Sequence, residues 1–450
     1  MIRLRSIAYI MAVVVALVAL VGCGGSSTTI VIYPQEQEKP TYTLMYYAAG
    51  GETLDKAIER SLREMEQSGV KENVKLTASV KWTKGYKSSL SDGEGEVCRF
   101  MLGGESALLE PDVVGDNSYA LYDPDNIADF ILWSKAVAPA DNYILIIAGH
   151  GNGWHPEVGL DATRGTLRDT DLDRYTSLEE LCEGIEMAGV HFRMVHMISC
   201  LMNNMEYITP LADYCDYILA SSHISVMLCS EPRFLQMSLK RVKNDTDEEF
   251  VAAMKEYLNN IKVDINSKSD SNESLAEESL DFSLTDVSKV AALNANIRDF
   301  TDALVSIYDR ADGGAEADAE AVMAIEEALA EAYYFISAHT PAEEMATTEY
   351  IRMAFTYDLV DIARRAAAAT DDEALARTAT EIESAAKEAR LLNLTTKLSG
   401  IKEVYYGITL TNAQMWAERQ YSEAGYEATM FDQRTGWSRF LKRNNVALQY

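Results

Sequence analysis

Two short apolar runs constrain the fold of this 450-residue chain more than any other feature. They cover residues 143–148 and 192–199, and each is too short and too sharply bounded for a helix. A chemically capable side chain follows each run: His150 after the first and Cys200 after the second. Two buried parallel strands would bring this imidazole and this thiol to the same edge of one sheet. We therefore predict a nucleophilic site at that edge.

Strand-like and helix-like segments alternate from residue 41 onward. This alternation predicts an α/β fold with a mostly parallel sheet and right-handed crossovers. We assign residues 41–285 to this domain and residues 286–450, which are rich in Ala and Glu, to a mainly helical region packed on it. Outside the two runs, the predicted strands are 42–49, 74–82, 216–221 and 403–410, and a hairpin is predicted near residues 97–102. The predicted helices are 52–68, 126–136, 177–188, 203–213, 286–306, 315–336, 344–369 and 371–391. Residues 155–175 are predicted to form a polar loop, and residues 264–279 a polar excursion.

The N-terminus has the features of an export signal. Arg3 and Arg5 precede an apolar segment, so residues 1–22 are predicted to be a signal peptide rather than a spanning helix. Residues 20–23, Leu-Val-Gly-Cys, resemble the lipobox of bacterial lipoproteins, in which the cysteine is lipidated. The alternative is an ordinary secretory signal with a chance cysteine. We expect Cys23 to carry the lipid, residues 23–40 to form a flexible tether, and the protein to lie in a bacterial cell envelope, on the outer membrane or cell surface.

Charge and cysteine content narrow the possible partners. The net charge of −30 argues against nucleic acid, because phosphate binding needs a basic footprint. Apart from Cys23 and Cys200, the cysteines are Cys98, Cys182, Cys215 and Cys229. Their irregular spacing shows no disulfide framework, so disulfides and buried free thiols both stay open. No cluster has the spacing of a zinc site, and we expect neither a metal nor a cofactor.

The chemistry of the predicted edge follows from the residues present. A thiol is mostly protonated at neutral pH, so a reactive cysteine needs an imidazole partner or a helix N-terminus nearby. For Cys200, the imidazole is that of His150, and a helix is predicted to begin just after the cysteine. The N–H groups of Gly151 and Cys200 are placed to form an oxyanion hole. The two residues are also separated by about fifty positions, the spacing noted for caspase-type peptidases.

The blocks His150-Gly-x-Gly-Trp154 and Cys200-Leu-Met-x-x-x-Glu206 resemble the clostripain family of cysteine peptidases, in the caspase–gingipain–legumain superfamily. The resemblance implies a caspase-like three-layer sandwich and an endopeptidase with a Cys–His dyad. It further implies that His150 is the general base, that Cys200 is the nucleophile, and that Gly151 and Cys200 supply the oxyanion N–H groups. The family resemblance leaves open whether the protein binds calcium, although the sequence contains no calcium-binding motif. A peptide or protein substrate and a monomer are expected.

The family prefers Arg or Lys before the scissile bond, and this chain departs from the residues that support this preference. Ile198 stands where the family has an aspartate at the base of the substrate pocket, and Gly149 stands where it has an acid before the histidine. Isoleucine cannot pair with a basic side chain. Two preferences therefore stay open. Glu231 or another acid could substitute for the missing aspartate and keep the preference for Arg or Lys, or the pocket could prefer an apolar or small side chain.

Five residues are predicted to contact substrate: Trp154, Ile198, Ser199, Ser222 and His223. Trp154 could instead cap the sheet edge. His196 alternates with apolar residues in its run and is predicted to be a hydrogen-bonded core histidine. The alternative function is a catalytically inactive surface lipoprotein that binds peptide or glycan in the same cleft.

Overall fold

A nine-stranded mixed sheet runs through the centre of the protein, with strand order β13-β10-β9-β8-β5-β1-β2-β3-β4. The computed structural model describes residues 40–51, 54–68, 73–102, 110–151, 153–154, 165–222, 231–269, 281–330, 332, 334–335, 356–395, 407–411 and 423–443. Its strands are β1 Tyr42–Ala49, β2 Val74–Lys81, β3 Val97–Leu102, β4 Asp112–Gly115, β5 Asn142–Ala148, β8 Phe192–Ile198, β9 Cys215–Ala220, β10 Asp281–Asp286 and β13 Arg390–Thr395. The five adjacent strands β9, β8, β5, β1 and β2 are parallel, and the flanking strands are antiparallel.

Helices cover both faces of this sheet. They are α1 Leu54–Gln67, α2 Pro124–Val137, α3 Leu178–Ala188, α4 Met205–Leu211, α5 Glu231–Leu239, α6 Asp247–Ser269, α7 Val290–Asp312, α8 Glu316–Ala330, α9 Leu359–Ala368, α10 Glu373–Ala389, α11 Glu423–Glu427, α12 Met430–Thr435 and α13 Trp437–Leu441. Local sequence sets their ends. For example, Ser177 and Glu180 form a capping box before α3, and Gly189 ends that helix with φ 60°.

The alternation of side chains along each strand divides the interior into two cores. In β1, Met45 and Tyr47 belong to the core under α2, α3, α4 and α7 to α13, which we call the first core. Leu44 and Tyr46 belong to the opposite, second core, under α1, α5 and α6. Every residue of β1 is buried, as expected of a central parallel strand with both faces covered. The predicted α/β three-layer sandwich with a mostly parallel sheet is thus confirmed.

Two smaller sheets complete the fold. A hairpin of β6 Thr166–Asp169 and β7 Arg174–Thr176 lies between the two predicted catalytic residues in sequence. A three-stranded sheet contains β11 Tyr334–Phe335, β12 Thr356–Asp358 and β14 Thr409–Thr411, in the order β11-β12-β14.

The C-terminal region is mainly helical, as predicted, and it also supplies strands. It adds β13 to the edge of the main sheet, and α7 to α13 share the first core with α2, α3 and α4. The division of the chain at residue 285 stays a prediction. Across the described residues, no helix is both long and apolar enough to cross a membrane. The predicted signal peptide and Cys23 lie outside the described residues.

Some sequence predictions of local structure are wrong. The polar loop predicted over residues 155–175 contains the β6–β7 hairpin, in which Leu167 is buried. Helix α6 continues to Ser269, into the predicted polar excursion. The sequence pattern does not predict β10 and β13, which pair with each other at the sheet edge. Strand β12 lies where a helix over 344–369 is predicted. All these missed strands are short, and polar residues interrupt their apolar pattern.

Candidate active site

His150 and Cys200 follow neighbouring parallel strands at equivalent positions. Strands β5 and β8 pair in register through Ala148 and Ile198, and each candidate residue lies two positions beyond its strand's member of that pair. The amide of Gly149 continues the pairing by donating to the carbonyl oxygen of Ile198 at 3.3 Å. Both His150 and Cys200 are partly exposed, and Cys200 is a free thiol. The register therefore brings both side chains to one edge of the sheet.

Gly151 lies directly against the backbone of Cys200. A Cβ atom at Gly151 would lie 2.8 Å from the carbonyl oxygen of Cys200 and 2.8 Å from the Cβ of Ser199. Both distances are shorter than van der Waals contact, so only glycine fits here without displacement of the neighbouring chain. The backbones of the two residues predicted to supply oxyanion N–H groups are thus in close contact.

The β6–β7 hairpin supports the segment that carries His150. Thr166 forms an antiparallel bridge with Gly151, and the amide of Arg168 donates to the carbonyl oxygen of His150 at 3.2 Å. The Thr166 hydroxyl donates to Ser199 Oγ at 3.2 Å, and both side chains are buried. Thr166 therefore contacts the segments of both candidate residues.

A buried ion pair joins this hairpin to the main sheet. Lys81 Nζ lies 2.9 Å from Asp169 Oδ1 and 2.8 Å from Oδ2, and it also donates to the carbonyl oxygen of Tyr119 at 2.9 Å. The amide of Leu172 donates to the same carboxylate at 3.2 Å. Lys81 and Asp169 are 3% and 2% exposed, so each charge depends on the other for compensation.

The chain turns sharply after Cys200. Leu201 has φ 62°, a strained left-handed conformation for a residue with a side chain. Asn204 stabilises the turn: its Nδ2 donates to the carbonyl oxygen of Leu201 at 2.8 Å, and its Oδ1 accepts from the amide of Tyr207 at 3.0 Å. Helix α4 begins only at Met205. The helix predicted over 203–213 is therefore present, but this turn delays its start to Met205.

Glu206 and Trp154 anchor the site to the C-terminal region. Glu206 is fully buried, and its Oε1 accepts hydrogen bonds from the amide of Thr411 at 2.9 Å and the hydroxyl of Tyr426 at 2.8 Å. Burial raises the pKa of the Glu206 carboxyl. The Trp154 ring packs edge-on against Tyr426, with the ring centroids 4.7 Å apart. Because Trp154 is 3% exposed and belongs to the first core, its position favours the capping alternative over a pocket wall.

The other predicted substrate contacts are differently placed. Ile198 is 4% exposed and lies in the second core. The Ser222 hydroxyl donates to the carbonyl oxygen of Gly407 at 2.7 Å. Glu231, the substitute acid, is fully buried at the start of α5. His223 lies outside the described residues.

The described cysteines other than Cys200 are free and are buried or partly buried, which answers the disulfide question for Cys98, Cys182 and Cys215. Burial raises the pKa of Cys98 to about 11 and that of Cys182 to about 12, and it raises the pKa of Cys215 further. Cys229 and Cys23 lie outside the described residues.

Within the described part of the chain, no group of three acidic, His or Cys side chains is arranged to hold a metal ion. The expected lack of a cofactor stays a prediction.

His196 has the surroundings predicted for a core histidine. Its Nδ1 lies 3.0 Å from the carbonyl oxygen of Leu219, and its Nε2 lies 2.8 Å from the hydroxyl of Tyr257. A carbonyl oxygen only accepts, so Nδ1 carries the hydrogen and Nε2 accepts from Tyr257. Burial lowers the pKa of His196 to about 4. His196 is therefore a neutral structural residue, distinct from the partly exposed His150.

Comparison with known proteins agrees with this architecture. The sequence matches the Clostripain family over residues 47–450. A secreted C11 cysteine protease from Bacteroides thetaiotaomicron, solved in complex with an irreversible peptide inhibitor, aligns with a TM-score of 0.60 and 15% identity, covering 88% of this chain and 99% of that chain. An inactive zymogen C11 protease from Parabacteroides distasonis aligns with a TM-score of 0.57 and 16% identity, covering 88% and 98% of the two chains. None of the curated proteins matches.

These comparisons settle the class of the protein. At such low identities, the solved structures show a shared fold, the caspase-like sandwich expected from the sequence. The family match covers most of the chain and shows that the chain belongs to the clostripain family. The protein is accordingly a cysteine peptidase.

Several residues that support the site are not indicated by the sequence pattern. Thr166, Asn203 and Asp358 all lie in hydrogen-bond networks that reach the Cys200 segment or its neighbours. Thr166 has no strand signal in its sequence, because Leu167 is the only apolar residue of the strand Thr166–Asp169. Asn203 and Asp358 have no local signal either, because their partners are distant in sequence.

Proposed function

We propose that the protein is an endopeptidase in which Cys200 is the nucleophile and His150 the general base. The observation that carries this proposal is the parallel register of β5 and β8, which places both side chains at equivalent positions beyond Ala148 and Ile198. Both residues are partly exposed. The other described cysteines are poor nucleophiles by comparison, because burial raises their pKa values.

The proposed reaction follows the two steps of covalent catalysis. The Cys200 thiolate attacks the carbonyl carbon of the peptide bond. The C–N bond then breaks as the protonated His150 gives its proton to the leaving amine, and a thioester remains. A water molecule gives a proton to His150 and attacks the thioester. Breakage of the C–S bond releases the acid and restores Cys200.

The backbone N–H groups of Gly151 and Cys200 are proposed to bind the oxyanion that forms on attack. Support comes from the close approach of the two backbones at this point. A donor that is already aimed at the developing charge needs no reorganisation during the reaction, which is why such groups contribute strongly to catalysis.

We further propose that the pocket prefers an uncharged apolar or small side chain before the scissile bond. Ile198 lies beside apolar residues of the second core and cannot pair with Arg or Lys. Ser199, Ser222 and His223 are proposed to contribute the neighbouring surface, and Trp154 to support it from below.

Export and lipid anchoring complete the proposal. Residues 1–22 have the pattern of a signal peptide, and Cys23 follows a lipobox-like segment. The similar protease from Bacteroides thetaiotaomicron is described as secreted. We propose that the mature protein begins at Cys23, is held at the cell envelope by lipid on that residue, and acts as a monomer.

A fluorogenic peptide library, varied at the residue before the scissile bond, tests the activity and the specificity together. Wild type is expected to cleave peptides with apolar or small residues there, and Cys200→Ala to cleave none. Ile198→Asp is expected to shift the preference towards Arg and Lys, whereas the control Ile198→Val keeps the wild-type preference. Equal turnover by Cys200→Ala would contradict the proposed nucleophile, and a wild-type preference for Arg or Lys would contradict the proposed pocket.

A further inference from the structure

One carbonyl group of the C-terminal region joins the two segments that surround the proposed catalytic site. The carbonyl oxygen of Gly407 accepts hydrogen bonds from Asn203 Nδ2 and from the Ser222 hydroxyl, the latter at 2.7 Å. Asn203 belongs to the turn that follows Cys200, and Ser222 follows the end of β9. Gly407 itself has φ 77°, a conformation that favours glycine.

Further hydrogen bonds hold the same two segments together. The amide of Asn203 donates to the carbonyl oxygen of Ser221 at 2.9 Å. The carbonyl oxygen of Asn203 accepts from both the amide and the hydroxyl of Thr409, each at 3.1 Å. Asn203, Ser222 and Thr409 are all buried. The turn after Cys200 is thus held between β9 and β14 by bonds whose strength is not screened by water.

Asp358 holds Gly407 in this position. Its Oδ2 accepts from the amide of Gly407 at 3.1 Å, while its Oδ1 accepts from the amides of Val360 at 3.0 Å and Asp361 at 2.9 Å. The side chain is the N-cap of α9 and is almost fully buried. The carboxylate therefore links the start of a helix to the peptide that joins the two site segments.

We propose that Asp358 is a positioning residue for catalysis: through Gly407 it fixes the Cys200 turn relative to the Ser222 edge of the substrate pocket. This inference rests on the proposed function, because it assigns a catalytic purpose to that geometry. Asp358 touches neither substrate nor reacting atoms in this arrangement and acts only through other residues.

Three backbone N–H groups donate to the two carboxylate oxygens of Asp358, so both oxygens must act as hydrogen-bond acceptors. Asparagine fills the same space but places an amide N–H₂ against one of these donors, so either the helix cap or the Gly407 bond is lost. The carboxylate of Asp361 on α9 acts electrostatically on Asp358, and it pairs with Arg365 at 2.8 Å. On the β14 side, residues 407–411 carry no titratable side chain. Burial raises the pKa of Asp358 to about 7, so the carboxylate that accepts on both oxygens is the dominant form above that pH.

Asp358→Asn tests the inference, with Asp432→Asn as the matched control. Asp432 is another buried aspartate of the C-terminal region that accepts from a helix, through the amide and hydroxyl of Ser438 at 2.6 and 2.7 Å. Both variants are expected to lower the midpoint of urea unfolding. Only Asp358→Asn should lower kcat/KM per folded molecule, by roughly tenfold to a hundredfold, as expected for a small misplacement of a nucleophile.

The rate of alkylation of Cys200 by iodoacetamide near pH 7 gives a readout that needs no peptide substrate. We expect Asp358→Asn to slow it severalfold and Asp432→Asn to leave it unchanged. If wild type cleaves no peptide, the proposed function fails, yet this comparison still decides whether Asp358 positions Cys200. Equal alkylation and equal activity per folded molecule in the two variants would overturn the inference.

Ser222→Ala gives a second test that does not depend on the folding of Asp358→Asn. Ser222→Ala removes one of the two hydrogen bonds to the Gly407 carbonyl without touching Asp358. Asp358 and Ser222 act through the same peptide. Where both single variants fold, the double variant should therefore lose less kcat/KM than the two single losses combined. Additive losses would contradict action through Gly407. An unchanged rate of Cys200 alkylation by iodoacetamide in Ser222→Ala would contradict it as well, and this readout does not depend on any contact between Ser222 and substrate.

Discussion

Gly151 and Cys200 are in such close backbone contact that a single Cβ atom at Gly151 would lie 2.8 Å from the Cys200 carbonyl oxygen. This contact joins the turn after β5 to the turn after β8. It ties the orientation of the proposed oxyanion donors to the position of the nucleophile, so that a single added methyl group at Gly151 acts on both.

Gly151→Ala is predicted to lower kcat by roughly 10²–10³-fold, the range seen on loss of an oxyanion donor, because the added methyl group displaces the Cys200 backbone. Gly313→Ala is the matched control, since a Cβ there meets its nearest atom only at 3.3 Å, at the end of α7. Steady-state kinetics of the two variants measures the effect, with the peptide of the fluorogenic library that wild type cleaves fastest as the substrate. An active Gly151→Ala enzyme would show that the contact has no catalytic importance.

Thr166→Val is predicted to lower kcat about tenfold while costing about 1 kcal/mol of stability, because it removes the hydrogen bond to Ser199 beside the nucleophile. Thr176 is the register partner of Thr166 in the hairpin, and its buried hydroxyl has no hydrogen-bond partner among the described residues. Thr176→Val should therefore keep full activity and equal or greater stability. Kinetics and urea unfolding of both variants test this, and equal losses in activity would contradict it.

The Lys81–Asp169 pair yields a prediction about stability. Lys81→Met leaves a buried carboxylate without its cation and is expected to cost roughly 3–5 kcal/mol. The double variant Lys81→Met/Asp169→Leu removes both charges and should regain most of that loss. Urea unfolding of wild type and the single and double variants measures the difference. A double variant that is no more stable than Lys81→Met would show that the charges are not the source of the cost.

His196 predicts part of the acid sensitivity of the fold. Because burial lowers its pKa to about 4, the unfolded state binds a proton on this residue at higher pH than the native state does. Its contribution to stability is present above the unfolded value of about 6.5 and is lost as the pH falls towards 4. His196→Gln should be less stable than wild type at pH 7 but lose less stability between pH 7 and pH 5. His191, which is exposed and pairs with Asp216, gives the control His191→Gln. The midpoint of urea unfolding of each variant at the two pH values measures the change. If the midpoint of His196→Gln falls between pH 7 and pH 5 as much as that of wild type, the prediction is contradicted.

The central sheet and its two candidate residues could be predicted from the sequence because the relevant signals are local. The runs that form β5 and β8 are apolar, bounded and followed directly by His150 and Cys200, and parallel pairing places the ends of such strands together. The family blocks around both residues are likewise contiguous in sequence. These signals needed no knowledge of the remaining chain.

The supports of the site could not be predicted in the same way. Gly407 meets Asn203 across 204 positions of sequence, and nothing in either segment indicates the other. The hairpin strand Thr166–Asp169 is short, and three of its four residues are polar, so it resembles a loop. Burial of Trp154 likewise depends on Tyr426, far along the chain. Long-range packing, rather than local periodicity, decides such features.

The most direct test of the account is the rate at which iodoacetamide modifies each cysteine of the folded protein near pH 7, located by peptide mass spectrometry. We predict that Cys200 reacts much faster than Cys98, Cys182 and Cys215, and that His150→Ala slows Cys200 while leaving the other three unchanged. A Cys200 that reacts no faster than the buried thiols, or one indifferent to His150→Ala, would contradict the proposed dyad.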